Sequence, residues 1–360
     1  MSDFQTLHEI VRAARTNLSD GAWDYLVGSA ETETTNVRNR LGIDSLAFRP
    51  RVLRDVSAID CSSSFMGKPM RIPVFLAPMG SLHAIGPDGA LGVARGAERF
   101  GVVSFLSSVA QPGLEEVAAG TAHPKVFQLY VRGDRAWVED HVRRALASGY
   151  HGFCFTVDTA IYSRRERDLI KRYTPLGRRS GTAEGFNFQS AMSWELVKWF
   201  KDKYTMPLVL KGIATAEDAE LAVEHGVDVV YVSNHGGRQL DHGAASIEVL
   251  PEIVKVVGGK AEVVVDGGFL RGTDIVKAIA LGAKAIGVGR LHGFGLAAAG
   301  DAGVARVLEL LEIEMRICMG LLGVRSLDEV GPQHVRPGAP VRSGTFASAF
   351  PFLKLDDPHY

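Results

Sequence analysis

Eight short β-branched runs, each followed by turn residues and a helix-like stretch, constrain the fold of this 360-residue chain most strongly. Near-continuous apolar strands that alternate with helices indicate a parallel sheet, because such strands are buried on both faces. Eight units of this kind predict a (β/α)8 TIM barrel, which a chain of this length can fill as one domain. The runs are VFLAP (74–78), VVSFL (102–106), VFQLY (126–130), FCFTV (153–157), LVLK (208–211), VVYVS (229–233), VVVD (263–266) and IGVG (286–289).

Segments outside these runs complete one predicted domain over 1–360. We expect residues 1–70 to form a helical N-terminal extension, 71–323 the barrel, and 324–360 a tail that contains proline and glycine. The connection over 172–193 is long, polar and glycine-rich, and such a loop at a barrel mouth is either a mobile lid or a disordered surface loop.

Two of the stretches between strands have clear helix signals. The stretch AWVEDHVRRALASG (136–149) predicts one helix, and TAEDAELAVEHG (215–226) predicts another. The second begins with a threonine cap followed three residues later by an aspartate, and it ends on glycine.

The charge balance argues against a nucleic acid partner. Lys and Arg number 40 against 41 Asp and Glu, so the chain has no general basic field, and we expect a small-molecule partner.

No stretch offers about 18 uninterrupted apolar residues, and the amino terminus lacks a signal-peptide core, so we expect a cytoplasmic protein without a membrane span. Cys61, Cys154 and Cys318 lie far apart, which predicts buried thiols and no metal site.

The residues at the strand ends are unusually polar. The carboxyl ends of the strands of a barrel meet on one face, and that face holds the active site in barrel enzymes. Each of these polar residues alone could be an ordinary strand-end residue, but so many of them on one face of the barrel predict an active site there. In strand order they are Pro78, Met79 and Gly80; Ser107; Gln128 and Tyr130; Thr156 and Asp158; Lys211; Ser233 and His235; Asp266; and Gly289 and Arg290.

The glycines after the last two strands predict a phosphate site. Gly267, Gly268 and Gly289 let backbone N–H groups approach an anion, and Arg290 adds a charged fork. The run GVGRLHG is not a dinucleotide fingerprint, because His292 occupies the position of the third glycine. A single phosphate with a conjugated ring over the barrel indicates flavin mononucleotide (FMN). The ring would contact Ser107, Gln128, Thr156 and Lys211.

These motifs give the chain a resemblance to a known family. From about residue 20 to 323 it resembles the FMN-dependent 2-hydroxy acid oxidising family, which includes glycolate oxidase, lactate oxidase and monooxygenase, and mandelate dehydrogenase. The matching segments are DYLVGSAETETTNVRNR, LAPMG, FQLYV, TVDTAIYSRRERD, LVLKGI, VSNHGGRQLD, DGGFLRGTDIVKAIALGA and GVGR. The resemblance implies FMN, a homotetramer, and an electron acceptor such as oxygen, a quinone or a redox protein.

The resemblance also implies residue roles. His235 would be the base, Arg238 and Arg165 would bind the substrate carboxylate, and Tyr25 and Tyr130 would donate hydroxyl groups. Forked guanidinium groups suit a planar carboxylate, and histidine titrates near neutral pH.

Further residues would support the base and the flavin. Asp158 would stabilise the imidazolium that forms on proton transfer, and Lys211 would face the flavin pyrimidine edge, where negative charge develops on reduction. The remaining cofactor contacts would come from Pro78, Met79, Gly80, Ser233 and Asp266.

Some positions depart from the family pattern. Leu270 stands where the family usually has arginine, with Arg271 one place later, and GRL replaces GRP. The GRL and DGGF variants are weakly similar to a branch associated with maturation of mycofactocin, which makes oxidation or oxidative deamination of a peptide-derived substrate an alternative. Gly80 stands where the resemblance associates alanine with oxidases, and glycine more often with dehydrogenases or monooxygenases.

Two further alternatives come from other functional classes. Lys211 at a strand end could form a Schiff base, as in an aldolase. The barrel could instead bind FMN without catalysis, as a carrier or sensor.

Overall fold

Eight strands form a closed barrel in which every neighbouring pair is parallel. The computed structural model describes residues 3–174, 183–342 and 344–353. In chain order its strands are β1 (Leu46–Phe48), β2 (Ser63–Phe65), β3 (Lys68–Met70), β4 (Val74–Leu76), β5 (Ser104–Ser107), β6 (Lys125–Leu129), β7 (Gly152–Thr156), β8 (Leu208–Ile213), β9 (Val229–Val232), β10 (Glu262–Val265), β11 (Ala285–Val288) and β12 (Val335–Pro337). Strands β4 to β11 follow one another around the barrel, and β11 pairs with β4, which confirms the predicted (β/α)8 barrel.

Helices surround the barrel, and some of them lie at its open end. They are α1 (Leu7–Asn17), α2 (Asp20–Val27), α3 (Thr34–Asp44), α4 (Gly89–Phe100), α5 (Leu114–Gly120), α6 (Arg135–Ala147), α7 (Glu166–Ile170), α8 (Ala183–Ser190), α9 (Trp194–Lys203), α10 (Ala216–Glu224), α11 (Ser246–Val257), α12 (Gly272–Ala280) and α13 (Arg290–Leu322). Helices α6 and α10 occupy the two stretches predicted to be helical, and the Thr215 hydroxyl caps α10 by accepting a hydrogen bond from the Asp218 N–H. None of the helices in the described ranges combines the length and the apolar character that crossing a membrane requires.

The connection over 172–193 is not entirely a loop. Helix α8 occupies Ala183–Ser190, and residues 175–182 lie outside the described part of the chain. Gln189 fixes this helix to the barrel, because its side chain accepts a hydrogen bond from the Val131 N–H at 2.7 Å and donates one to the Thr156 carbonyl at 2.8 Å. The polar composition of this connection gave no signal for a helix, because the contacts that hold α8 come from Val131 and Thr156, which are distant in sequence.

A β-hairpin fills the amino-terminal end of the barrel. Strands β2 and β3 pair antiparallel, and Phe65 of β2 stacks on Phe75 inside the barrel with ring centres 5.4 Å apart. Phe75 also packs against Phe105 and Tyr231 from other strands. Burying several aromatic side chains at this end leaves only the opposite end, where the strands terminate, open for a ligand.

The N-terminal extension covers part of the open end. Its helix α3 places Asn39 against Asn234, and the two side-chain amides exchange hydrogen bonds of 2.9 and 2.8 Å. Arg40 in the same helix is buried and forms 2.7 Å ion pairs with Asp274 and Asp44. Removing one partner of a buried ion pair typically costs about 3–5 kcal/mol, so this contact holds the extension firmly on the barrel.

The extension and the tail also contain strands. Residues 1–70 include β1, β2 and β3 besides helices, and β12 of the tail pairs antiparallel with β1. The predicted extension is therefore only partly helical.

The three cysteines are free and buried, in agreement with the prediction of buried thiols.

Candidate active site

A cavity opens at the carboxyl ends of the barrel strands. Most of the predicted site residues line it, whereas Ser107, Gln128, Thr156, Asp158 and Ser233 do not. The predicted residues that line the cavity are Tyr25, Pro78, Met79, Gly80, Tyr130, Arg165, Lys211, His235, Arg238, Asp266, Gly267, Gly268, Gly289 and Arg290.

His235 lies between a carboxylate and a phenol. Its Nδ1 is 3.1 Å from Asp158 Oδ1, and its Nε2 is 3.2 Å from the Tyr130 hydroxyl. Ionised carboxylates only accept hydrogen bonds, so Nδ1 of His235 carries the proton and Nε2 of the neutral ring has the lone pair. Tyr130 then donates to Nε2. Nε2 is therefore the proton-accepting nitrogen of His235, and its lone pair accepts the hydrogen bond from Tyr130.

The charges around His235 set its protonation. Burial and the ammonium of Lys211 lower the pKa of His235, while Asp158 opposes them. Burial alone would raise the pKa of Asp158, but His235 and Lys211 outweigh that effect and lower it. Asp158 therefore stays ionised at neutral pH and His235 stays mostly neutral, which is the state that a general base requires.

The backbone that carries His235 is strained and tightly packed. His235 has φ of 59°, a left-handed conformation that non-glycine residues adopt only at a cost of about 1–3 kcal/mol. Gly237 has φ of 77°, and a side chain there would place Cβ 2.6 Å from the backbone nitrogen of Asn36. Gly237 thus permits a close approach between the loop and α3.

Lys211 belongs to a buried hydrogen-bonded network. Its Nζ donates to the Ser233 hydroxyl at 2.9 Å, and Ser233 donates to Asp266 at 2.6 Å. Tyr231 donates to the other carboxylate oxygen of Asp266 at 2.8 Å. The Lys211 ammonium lies 3.8 Å from Asp266, so the strand ends hold a paired, oriented positive charge under the cavity.

Two arginines flank the predicted substrate position. Arg238 stacks on the Tyr25 ring at 4.9 Å, and its Nη1 donates to the carbonyls of Tyr25 and Gly28. Arg165 stacks on the Tyr162 ring at 4.6 Å, and its buried Nε has no hydrogen-bond partner in the described ranges. Burial and the charge of the neighbouring Arg165 lower the pKa of Arg238.

Tyr25 reaches the cavity from the N-terminal extension. Its hydroxyl lies 3.4 Å from the Gly80 carbonyl, at the end of the segment that follows β4. A methyl group added at Gly80 would lie 2.8 Å from Val109 Cγ2 and 3.7 Å from the Tyr25 hydroxyl. Position 80 is therefore a confined part of the cavity wall.

Buried polar groups at the strand ends fit the pyrimidine edge of FMN. Both side-chain polar atoms of Gln128 and the hydroxyl of Thr156 are buried without partners among the described residues. Buried groups of this kind are normally hydrogen-bonded, so these three atoms require a ligand or water. Gln128 pairs in register with Ser107, and Thr156 with Lys211, so the groups lie side by side at one rim. Donors and acceptors together suit the imide edge of a flavin ring.

The proposed phosphate end is less complete. Gly267 and Gly268 have φ of 105° and 87°, and a Cβ on Gly267 would lie 2.8 Å from the Ser246 hydroxyl. Leu270 is buried and apolar, and Arg271 instead bonds to Glu314 and the Ala349 carbonyl. The backbone geometry fits an anion, but residues 270 and 271 supply no charge to it.

Arg290 adds a positive charge to the lining of the cavity, and no described carboxylate forms a salt bridge with it. Its Nη atoms donate to the carbonyls of Gly236 and Gly28 and to the Ser29 hydroxyl, while its buried Nε has no partner in the described residues. Burial, together with the charge of Arg238, lowers the pKa of Arg290 to about 9. A bound anion would relieve this unfavourable environment.

Several cavity residues were not predicted from the sequence. They include Arg132, Thr159, Tyr162, Phe186 and Gln239, besides Asn36 and Arg40 from the N-terminal extension. Arg132 had a usable signal, because it lies three residues beyond the end of β6, on the face where the strand ends of a barrel meet. Phe186 had none, since it comes from helix α8.

Comparisons with known proteins agree with this geometry. The model of the family described as FMN-dependent dehydrogenase matches residues 14–337. The chain is 39% identical to L-lactate oxidase of Nostoc sp. over 349 residues, covering 90% of this chain and 96% of that protein. It is also 39% identical to glycolate oxidase 1 of Zea mays over 355 residues, covering 93% and 96%.

Solved structures show the same fold. A crystal structure of mandelate oxidase with (S)-2-phenylpropionate superposes with a TM-score of 0.86 at 38% identity, covering 93% of this chain and 99% of that one. A soluble mutant of the membrane-associated (S)-mandelate dehydrogenase from Pseudomonas putida gives a TM-score of 0.87 at 32% identity, covering 93% and 100%. The protein is thus an oxidoreductase that belongs to the FMN-dependent dehydrogenase family.

Proposed function

We propose that this enzyme oxidises a 2-hydroxy acid to the 2-oxo acid, with His235 as the base and Arg165 and Arg238 binding the carboxylate. The observation that carries the proposal is the position of His235 Nε2. Asp158 fixes the proton on Nδ1, so Nε2 presents its lone pair at the cavity, which the two arginines also line.

The relatives support the substrate class. Their names specify lactate, glycolate and mandelate, each of which has a carboxylate next to a carbon that bears a hydroxyl group. In this chain Arg165 and Arg238 form no salt bridge with a described carboxylate. A substrate carboxylate would neutralise this pair and fix the adjacent carbon relative to His235.

Each polar residue then has a defined task. FMN, when bound, would supply the acceptor for the two electrons and for the second hydrogen that leave the substrate. His235 Nε2 takes a proton from the substrate, and Asp158 stabilises the resulting imidazolium at 3.1 Å. The Tyr130 hydroxyl, which donates to Nε2, can turn to the substrate oxygen. Lys211 favours negative charge at the strand ends.

The environment of Lys211 disfavours the aldolase alternative. A Schiff-base lysine requires a neutral amine, whereas Lys211 donates to Ser233 and lies 3.8 Å from the Asp266 carboxylate. These contacts stabilise an ammonium.

An anaerobic absorbance screen tests the proposal. The purified flavoprotein is mixed with 2-hydroxy acids, amine analogues and peptide-derived amines, and loss of the flavin band is followed. Bleaching by 2-hydroxy acids supports the proposal, bleaching by amines alone favours the peptide-derived alternative, and no bleaching by any compound favours a flavin carrier.

A matched pair of variants tests the base. His235 and His242 have φ of 59° and 60°, a conformation that asparagine tolerates, so His235→Asn and His242→Asn impose the same backbone demand. His235→Asn should retain FMN but slow flavin reduction by about 10²- to 10⁴-fold. His242→Asn, whose native side chain is 63% exposed and outside the cavity, should reduce normally. Near-normal reduction by His235→Asn would reject the base assignment.

A further inference from the structure

Arg132 is a cavity-lining arginine that a simple 2-hydroxy acid does not require. It follows Tyr130 by two residues at the end of β6, and its Nη1 is buried without a hydrogen-bond partner in the described part of the chain. No described carboxylate forms a salt bridge with it. The substrate carboxylate is already assigned to Arg165 and Arg238.

Aromatic side chains hold the Arg132 guanidinium in place. It lies 3.9 Å from the ring centre of Phe186 in α8 and 6.0 Å from that of Tyr130. The Phe186 contact orients the planar group without neutralising it. Burial lowers the pKa of Arg132, and only the hydroxyls of Tyr130 and Tyr162 oppose the effect. A half-buried cation with aromatic neighbours and no anion is an incomplete site.

The position of Arg132 relates it to the reacting centre. Tyr130 contacts His235 through its hydroxyl and contacts Arg132 through its ring. Arg132 therefore lies on the same wall of the cavity as the base, where the part of the substrate beyond the reacting carbon would extend.

We propose that Arg132 binds a second carboxylate on the substrate, so that the preferred substrates are 2-hydroxy dicarboxylates. This inference rests on the proposed function, because it assigns Arg165 and Arg238 to the first carboxylate. Guanidinium groups bind carboxylates bidentately, and a rigidly stacked arginine loses little freedom when it does so.

Matched substrates test this inference. 2-Hydroxyglutarate and 2-hydroxypentanoate, each as both enantiomers, differ by the distal carboxylate. We expect the native enzyme to reduce its flavin with a kcat/KM at least about 10-fold higher for the dicarboxylate, since a hydrogen bond to a charged group contributes about that factor or more. Arg132→Gln should lower kcat/KM for the dicarboxylate by about 10- to 100-fold and change that for the monocarboxylate little. Arg132→Lys should recover part of the loss.

Arg135→Gln is the matched control. Arg135 also stacks on an aromatic ring, that of Trp199 at 4.7 Å, but it is exposed and does not line the cavity. Its loss should leave the substrate preference unchanged. A change equal to that of Arg132→Gln would show a general charge effect and overturn the inference.

Binding of inert acids provides a readout without turnover. Glutarate and pentanoate lack the hydroxyl group, so their dissociation constants can be measured by perturbation of the flavin spectrum. Glutarate should bind more tightly than pentanoate to the native enzyme, and Arg132→Gln should abolish that difference. Equal binding of both acids to the native enzyme would refute the role of Arg132.

The outcomes separate the two proposals. If 2-hydroxypentanoate bleaches the flavin and 2-hydroxyglutarate is no better, only the inference about Arg132 fails. If no 2-hydroxy acid bleaches it while glutarate still binds through Arg132, the proposed reaction fails and the anion site remains.

Discussion

Replacing Asp158 by asparagine tests how the proposed base is activated. Asp158 Oδ1 and Oδ2 lie 3.1 and 3.3 Å from His235 Nδ1. Two unit charges at 3.1 Å attract each other by about 5 kcal/mol at an effective dielectric of about 20, which is an upper bound on the stabilisation of the imidazolium. An asparagine oxygen can still accept the Nδ1 hydrogen bond, so part of this energy remains. We expect flavin reduction to slow by about 10²- to 10⁴-fold, equivalent to about 3–5 kcal/mol.

The pH dependence gives a second, independent readout. A base must be neutral to act, so kcat/KM for flavin reduction should rise as pH rises through the pKa of His235, which burial and Lys211 lower below 6.5. Loss of the Asp158 charge removes the main influence that raises this pKa. In the Asp158→Asn variant, the rise of kcat/KM with pH should therefore occur at lower pH than in the parent enzyme, although the variant is slower at every pH. Anaerobic stopped-flow absorbance across a pH series measures both effects.

Asp241→Asn controls for the loss of a buried carboxylate near the site. Asp241 accepts hydrogen bonds from Thr32 and from the Thr35 N–H and does not line the cavity. This variant should lose stability without slowing flavin reduction. The reasoning about Asp158 is wrong if Asp158→Asn stays within about 10-fold of the parent rate, or if its acid limb moves to higher pH.

Three further predictions concern binding and reoxidation. Arg238→Lys should raise the KM for the substrate and lower the rate of flavin reduction, because a point charge cannot reproduce a bidentate fork; parent-like steady-state kinetics would show that no carboxylate binds there. Arg290→Ala should release FMN about 10- to 100-fold faster on dialysis, whereas Arg271→Ala, whose guanidinium bonds to Glu314, should not; equal retention in both would place the phosphate elsewhere. With glycine at position 80, the substrate-reduced enzyme should react slowly with oxygen and faster with a quinone or dye in stopped-flow reoxidation; rapid oxidation with stoichiometric hydrogen peroxide would contradict this.

The barrel and the chemical character of its open end could be predicted from the sequence. Strand and helix signals are local, because alternation and apolar runs depend on residues a few positions apart. In parallel strands the carboxyl ends must meet, so residues such as Lys211 and His235 were expected at one rim without knowledge of the tertiary structure.

Contacts between distant segments could not be predicted in this way. Helix α8 is held by Gln189, which accepts a hydrogen bond from the Val131 N–H and donates one to the Thr156 carbonyl, and the helix carries Phe186 over Arg132. The sequence around Arg132 shows an arginine near a strand end but not whether a carboxylate pairs with it. Pairing depends on every segment that folds into the same space, whereas local patterns report only on the segment itself.

The loop at His235 shows the same division. Its sequence predicted a base, His235, close to a guanidinium, Arg238. The structure shows how this loop is held. Gly237 packs against Asn36, and Asn234 forms hydrogen bonds with Asn39; Asn36 and Asn39 belong to the N-terminal extension. The sequence by itself determined which chemical groups reach the rim, through strand period and order. Only the tertiary structure decided how rigidly they are held and which charges remain uncompensated, because both depend on side chains that the fold brings together from distant parts of the chain.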